Sequence, residues 1–132
     1  MTMGLDPGSV LRAGLGVGGL VATGAGLDTV LRGARSVPGR PRAGAEMDSE
    51  LRYYSGFYVA FGLAALRTAP RADGEPAAVR ALAGALFLGG LARAAAWRAS
   101  GRPHPLQRAL LAIELAVPPL LVGAQRLAGG RS

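Results

Sequence analysis

Cysteine is absent from the 132-residue chain, which excludes a disulfide scaffold and any thiolate metal centre. Histidine occurs once, as His104, so no metal site can be assembled from several imidazoles. No Walker-type phosphate loop, no dinucleotide fingerprint in a strand-to-helix setting and no serine-nucleophile elbow is present. Lysine is missing too: all 15 basic residues are arginine, set against 8 acids for a formal charge of +7. A nucleic-acid surface would gather those arginines on one face among aromatics. Here they fall between apolar runs, so nucleic acid is not an expected partner. Charged residues make up only 17% of the chain, below the quarter or so usual in soluble domains.

What remains is apolar. Half the residues are hydrophobic, 21 are glycine, and the mean hydropathy is positive at +0.29. Four apolar runs stand out, over Ala13–Leu27, Tyr53–Leu66, Ala81–Trp97 (interrupted by Arg93) and Ala109–Gln125 (interrupted by Glu114). None reaches 18 uninterrupted apolar residues, yet each approaches the ~20 needed to cross a bilayer if flanking arginines snorkel to the headgroups. A soluble amphipathic helix would show one apolar stripe and a charged opposite face. These runs are apolar or Gly/Ala on every side, which suits lipid better than water. The expected fold is therefore all-α, an integral membrane four-helix bundle. It forms a single domain over 1–132 with helices at about 9–31, 49–68, 76–99 and 104–127.

The helix boundaries carry local signals. Asp6-Pro7 and Ser9 suit the start of the first helix, and Asp48 or Ser49 can cap the second. Glu75-Pro76 opens the third, Gly101 ends it, and Pro103 and Pro105 lead into the fourth.

Several residues are out of place in lipid. Glu114 lies nine residues beyond Pro105, or ~13 Å, close to the middle of a ~30 Å hydrocarbon layer. Gln107, Glu114 and Gln125 fall within about 20° of one line on the helix, so the acid belongs to a polar stripe facing protein. Pro118 and Pro119 remove the N–H groups that would bond the carbonyls of Glu114 and Leu115, adding polar groups that need partners. Arg93 lies about five residues inside its own helix end and can turn toward Glu114 on the antiparallel neighbour. The ~6 Å axial offset is within reach of an extended arginine. An Arg93–Glu114 ion pair is expected; the rival is a protonated Glu114 bonded to Tyr58 or Gln107. On the second helix Tyr54, Tyr58 and Phe61 form an aromatic stripe. It reads as an interfacial belt, or as a pocket with Glu50 and Arg52 at its mouth. On the first, Gly14, Gly18, Ala22 and Gly26 form a small-residue ridge that lets a second backbone approach. The neighbour is another helix of the same chain, a second copy or a membrane-protein partner.

The segments ELRYYSGFY, ALFLGGLARAAAW and GRPHPLQRALLAIELAVPPLL, taken in order, resemble a family of bacterial membrane proteins designated domain of unknown function 4345. The resemblance covers the chain from the first helix to about residue 127. It implies a four-helix, multi-pass protein of the bacterial cytoplasmic (inner) membrane. Its motif residues are Glu50, Arg52, Tyr53, Gly90, Arg93, Pro103, His104, Pro105 and Glu114. More distantly the layout is similar to DoxX-like membrane proteins, some of which are associated with quinone-linked redox complexes.

Three functions follow, in this order. The first is a non-catalytic structural or accessory membrane component, with the lipid bilayer as its partner. The second is a binder or carrier of a lipid, quinone, ion or proton, with Glu50, Arg52, Tyr54, Tyr58, Arg93, His104, Gln107 and Glu114 as ligand-binding candidates. The third is an enzyme using His104 and Glu114, which lie ~15 Å apart along the helix, too far to share a proton. No catalytic residues, no metal ligands and no particular cofactor are assigned.

Overall fold

A computed structural model describes residues 6–129. It is all-α: four long helices, α1 over Pro7–Arg32, α2 over Ala45–Thr68, α3 over Pro76–Ser100 and α4 over Pro105–Gly129, with no strand among the described residues. Short 3-10 turns at Gly33–Ser36 and Ala69–Gly74 follow α1 and α2. At ~1.5 Å per residue each helix is about 36–39 Å long, more than a bilayer's ~30 Å hydrocarbon core. Three helical segments, Pro7–Ser36, α3 and α4, are long and apolar enough to cross a membrane. The second helix is not among them, because Glu46, Asp48, Glu50 and Arg52 crowd its first two turns.

Proline and glycine set most of the boundaries. Pro7 opens α1, with the Val10 N–H donating to the Asp6 carbonyl at 3.0 Å. Pro76 opens α3, where its missing N–H costs nothing. At the other end Gly101, at φ +92°, donates its N–H to Trp97 O at 2.9 Å and turns the chain toward α4. His104 then starts α4: its Nδ1 accepts the Leu106 N–H at 3.1 Å, doing with an imidazole what Ser or Asp usually does.

One boundary differs from expectation. The second helix begins at Ala45, a turn before residue 49, with the Asp48 N–H already bonded to Gly44 O at 2.9 Å. Asp48 therefore does not cap its own helix. Its Oδ1 accepts the Ala34 N–H at 3.0 Å and its Oδ2 accepts from Arg52 Nε at 2.7 Å. Arg52 Nη1 in turn donates to the carbonyls of Val30 and Leu31 at 2.9 and 3.1 Å. Asp48 and Arg52 thus satisfy an N–H just past the end of α1 and two of its last carbonyls, which have no partner inside the helix.

The packing forms two compact units. One contains Gly16–Arg67, and the other contains the first turns of α1 up to Leu15 together with Thr68 onward. Within Gly16–Arg67, α1 and α2 touch through backbone. A Cβ placed on Gly19 would lie 2.8 Å from Gly62 O, and one on Gly26 would lie 3.0 Å from Ser55 O. Ala22 is buried beside them. Of the expected ridge, Ala22 and Gly26 are thus taken up within the chain, while Gly18 has open space around it. The contact runs along Gly19, Ala22 and Gly26. It is shifted from the four-residue register because Gly62 offers its own bare backbone opposite Gly19.

In the other unit α3 packs along α4 as an antiparallel hairpin joined by Gly101–His104. Leu11, Leu15, Ala69, Ala72, Val79, Leu82, Ala83 and Leu121 are its buried apolar residues among those described. The helix α4 continues through Pro118 and Pro119.

Candidate functional site

The hairpin places one buried acid against one arginine. A Cβ on Gly90 would lie 2.8 Å from Leu115 Cδ2 and 3.1 Å from Glu114 Cβ, so only a glycine allows α4 this close. One turn further along α3, Arg93 reaches across. Its Nε donates to Glu114 Oε1 and Oε2, both at 2.9 Å. The Gly-Gly-Leu-Ala-Arg sequence is therefore a paired device, a glycine that admits α4 and an arginine that grips it. Glu114 is 4% exposed, and Gln125 on the same stripe is 5% exposed. The polar stripe faces protein, as its spacing predicts. A carboxylate buried to that degree needs a counter-charge, and Arg93 supplies it.

The grip is one-sided. Both carboxylate oxygens share the Nε hydrogen, so the two Nη groups of Arg93 have no protein acceptor among the described residues. Arg93 also lines a cleft of about 280 Å³ at the α3–α4 turn. Trp97, Arg102, Gln107 and Leu111 form its other walls.

A second polar cluster has no counterpart among the residues picked from sequence. Arg12 Nη1 donates to both Asp73 carboxylate oxygens at 2.8 and 2.9 Å. Gln125 Nε2 donates to the Asp73 carbonyl at 3.4 Å. Gly8 lies against the cluster, where a Cβ would approach Asp73 Oδ2 to 2.7 Å. Of its members only Gln125 stood out in the sequence, through the stripe. The Asp-Gly after a proline-containing turn was the available signal for Asp73.

The candidate residues divide between the two packing units. Arg93 and Gln107 line the cleft, and Glu114 pairs with Arg93. His104 lies next to this region in sequence but serves as the cap of α4. The other four belong to α2. Arg52 is committed to Asp48 and the end of α1, which corrects its expected place at the mouth of an aromatic pocket. Glu50 is exposed. Tyr54 is 62% exposed with Tyr53 edge-on at 5.5 Å, and Tyr58 stacks on Phe61 at 6.2 Å. Tyr53, Tyr54 and Phe57 thus present aromatic surface outward, as a belt does. Asp28, near the end of α1, pairs with Arg32 one turn on.

The outside of these helices is as apolar as the inside. Val17, Leu20 and Val21 on α1, Leu88 on α3, and Ile113 and Leu120 on α4 are each more than half exposed. An all-helical chain with three membrane-length apolar segments and one buried cross-helix ion pair defines the class. Within that class, the profile of the family described as Domain of unknown function (DUF4345) matches residues 10–125, and the chain belongs to that family. No curated protein and no solved structure matches the chain, and the likeness to DoxX-like proteins gains no support from them.

Proposed function

We propose that the chain is an integral, multi-pass protein of the bacterial cytoplasmic membrane, acting as a non-catalytic structural or accessory component. The observation that carries this reading is the outward apolar surface. Large aliphatic side chains lie exposed on α1, α3 and α4. In water such patches would drive aggregation, whereas lipid covers them without cost. In this reading the apolar part of α2, Tyr53–Leu66, crosses as well, with its first turns at the membrane surface. Within the α3–α4 hairpin the buried acid, Glu114, is paired across the helices with Arg93, as hydrocarbon demands. The Arg93–Glu114 pair locks one helix to its neighbour and leaves no free acid for proton transfer.

The test is extraction. The full chain, expressed in a bacterial host, stays in the pellet through alkaline carbonate washing and enters solution only with detergent. Recovery as a monodisperse species without detergent refutes the proposal. A second reading, a small-ligand binder centred on Arg93, is favoured by one observation: the cleft that Arg93 lines beside its ion pair.

A further inference from the structure

Arg93, with its Nη groups left over from the ion pair, lines the cleft at the α3–α4 turn, and that cleft carries surplus positive charge. Glu114 neutralises one guanidinium. Arg102, on the opposite wall, has no carboxylate within ion-pair distance among the described residues. Two guanidiniums with free N–H donors, set against one carboxylate that is already used, form a receptor for an oxyanion. Gln107 adds an amide donor on the α4 side. Apart from Ser100 and Gly101 at the turn, the rest of the lining is apolar: Ala96, Trp97, Pro103 and Leu111. Such walls suit the first carbons of an amphiphile better than a fully hydrated ion.

Size and position narrow the class. At about 280 Å³ the hollow is at the lower limit for small-molecule pockets and holds a headgroup, not a whole lipid. Its lining runs from Arg93 on α3 to Ser100–Pro103, where α3 turns into α4. If these helices cross a bilayer, as proposed above, the turn end of the cleft sits at headgroup level and Trp97 occupies the interfacial position aromatic rings prefer. We propose that this cleft binds the oxyanion head of an anionic amphiphile, with the Nη groups of Arg93 as hydrogen-bond donors and the guanidinium of Arg102 as its counter-charge. The lipid source rests on the membrane reading; the oxyanion chemistry does not.

Trp97 is the only tryptophan in the chain and lines the cleft, so its emission reports occupancy directly. Purified protein in a non-ionic detergent is titrated, at constant ionic strength, with dihexanoyl phosphatidylglycerol, dihexanoyl phosphatidylcholine or inorganic phosphate. Saturable change with the phosphatidylglycerol and none with the phosphatidylcholine is expected. Arg102→Gln weakens the phosphatidylglycerol response about tenfold, the effect of losing one charge-assisted hydrogen bond. Arg98→Gln removes the same charge beside Trp97 without touching the cleft lining, and leaves the constant within about twofold. Saturation by inorganic phosphate at the same constant, with the same loss in Arg102→Gln, supports the oxyanion site and makes its source a soluble anion. Equal responses to both lipids, or equal losses in the two arginine variants, overturn the proposal. Since the titration is done in detergent, such a failure leaves the carbonate result standing on its own.

Discussion

Removing either partner of the Arg93–Glu114 pair should not cost the same, and the asymmetry follows from burial. The Glu114 side chain is 6% exposed, whereas that of Arg93 is 37% exposed and opens on the cleft. In Arg93→Leu the acid keeps its burial and loses its counter-charge, which costs about 3–5 kcal/mol for a buried ion left alone. In Glu114→Gln the arginine can draw water from the cleft, and the new amide still offers a carbonyl to Nε. The loss there is about 1–2 kcal/mol, the range for weakening one hydrogen bond to a charged group. The double variant keeps only a buried amide beside a leucine, a penalty of about 1–3 kcal/mol. The coupling energy is then about 3–4 kcal/mol, at the top of the range for contacting residues. Reversible unfolding in mixed detergent micelles, followed by Trp97 emission or helical ellipticity, measures all four corners of the cycle. Additive losses would refute the reasoning. So would Glu114→Gln proving the more damaging single change, because the exposure difference then has no energetic meaning.

Two predictions concern the junction of α1 and α2. Gly33 adopts φ +60°, and a Cβ there would collide with the Asp48 carboxylate that holds the Ala34 N–H. Gly33→Ala therefore combines a left-handed backbone penalty of about 1–2 kcal/mol with loss of that hydrogen bond. It should lower the unfolding midpoint clearly, while Gly18→Ala, where nothing lies within 4 Å, leaves it unchanged or raised. The Ala34 N–H first, then Arg52, holds the Asp48 carboxyl below its ordinary value of 3.8. A carboxyl depressed in the folded state contributes stability that is complete above its unfolded value and is lost as pH falls through the folded one. Unfolding midpoints of the parent and Asp48→Asn should differ at neutral pH, and the gap should begin to close only as pH falls below about 4; a gap that stays constant on further acidification contradicts the assignment.

The sequence made the helices readable where chemistry is local. Asp6-Pro7, Glu75-Pro76 and the proline pair around His104 mark starts because proline fits the first turn without losing a hydrogen bond, whereas Pro118 and Pro119 sit inside α4 and mark no boundary. Gly101 marks an end because the chain needs a positive φ there. The Arg93–Glu114 pair was legible for a different reason. Two charges in apolar runs, on helices joined by a short turn, have few other places to go. Long-range pairing without such a constraint was hidden. Arg12 and Asp73 are 61 positions apart, and both look like ordinary flanking charges until the fold brings them together. Asp48 misled because the residue type that caps its own helix serves equally well as a bracket for a neighbour's end. The glycine ridge was readable as close packing but not in its register. In a helix this rich in glycine, several small-residue lines coexist, and only the bare backbone at Gly62 selects among them.

The division of α1 bears on the order in which the chain can be assembled. Its later turns find Gly62, Val59 and Ser55 of α2 as soon as that helix is made. Its first turns have partners from much further along: Asp73 for Arg12, and Leu121 for the bare backbone at Gly14. During vectorial synthesis the amino-terminal end of the helix must therefore wait, Arg12 for the turn after α2 that carries Asp73, and Gly14 longer still, for Leu121 on α4. The fourth helix then closes a seam begun by the first, so a chain that stops short of α4 keeps the Arg12–Asp73 tie but leaves the backbone at Gly14 uncovered.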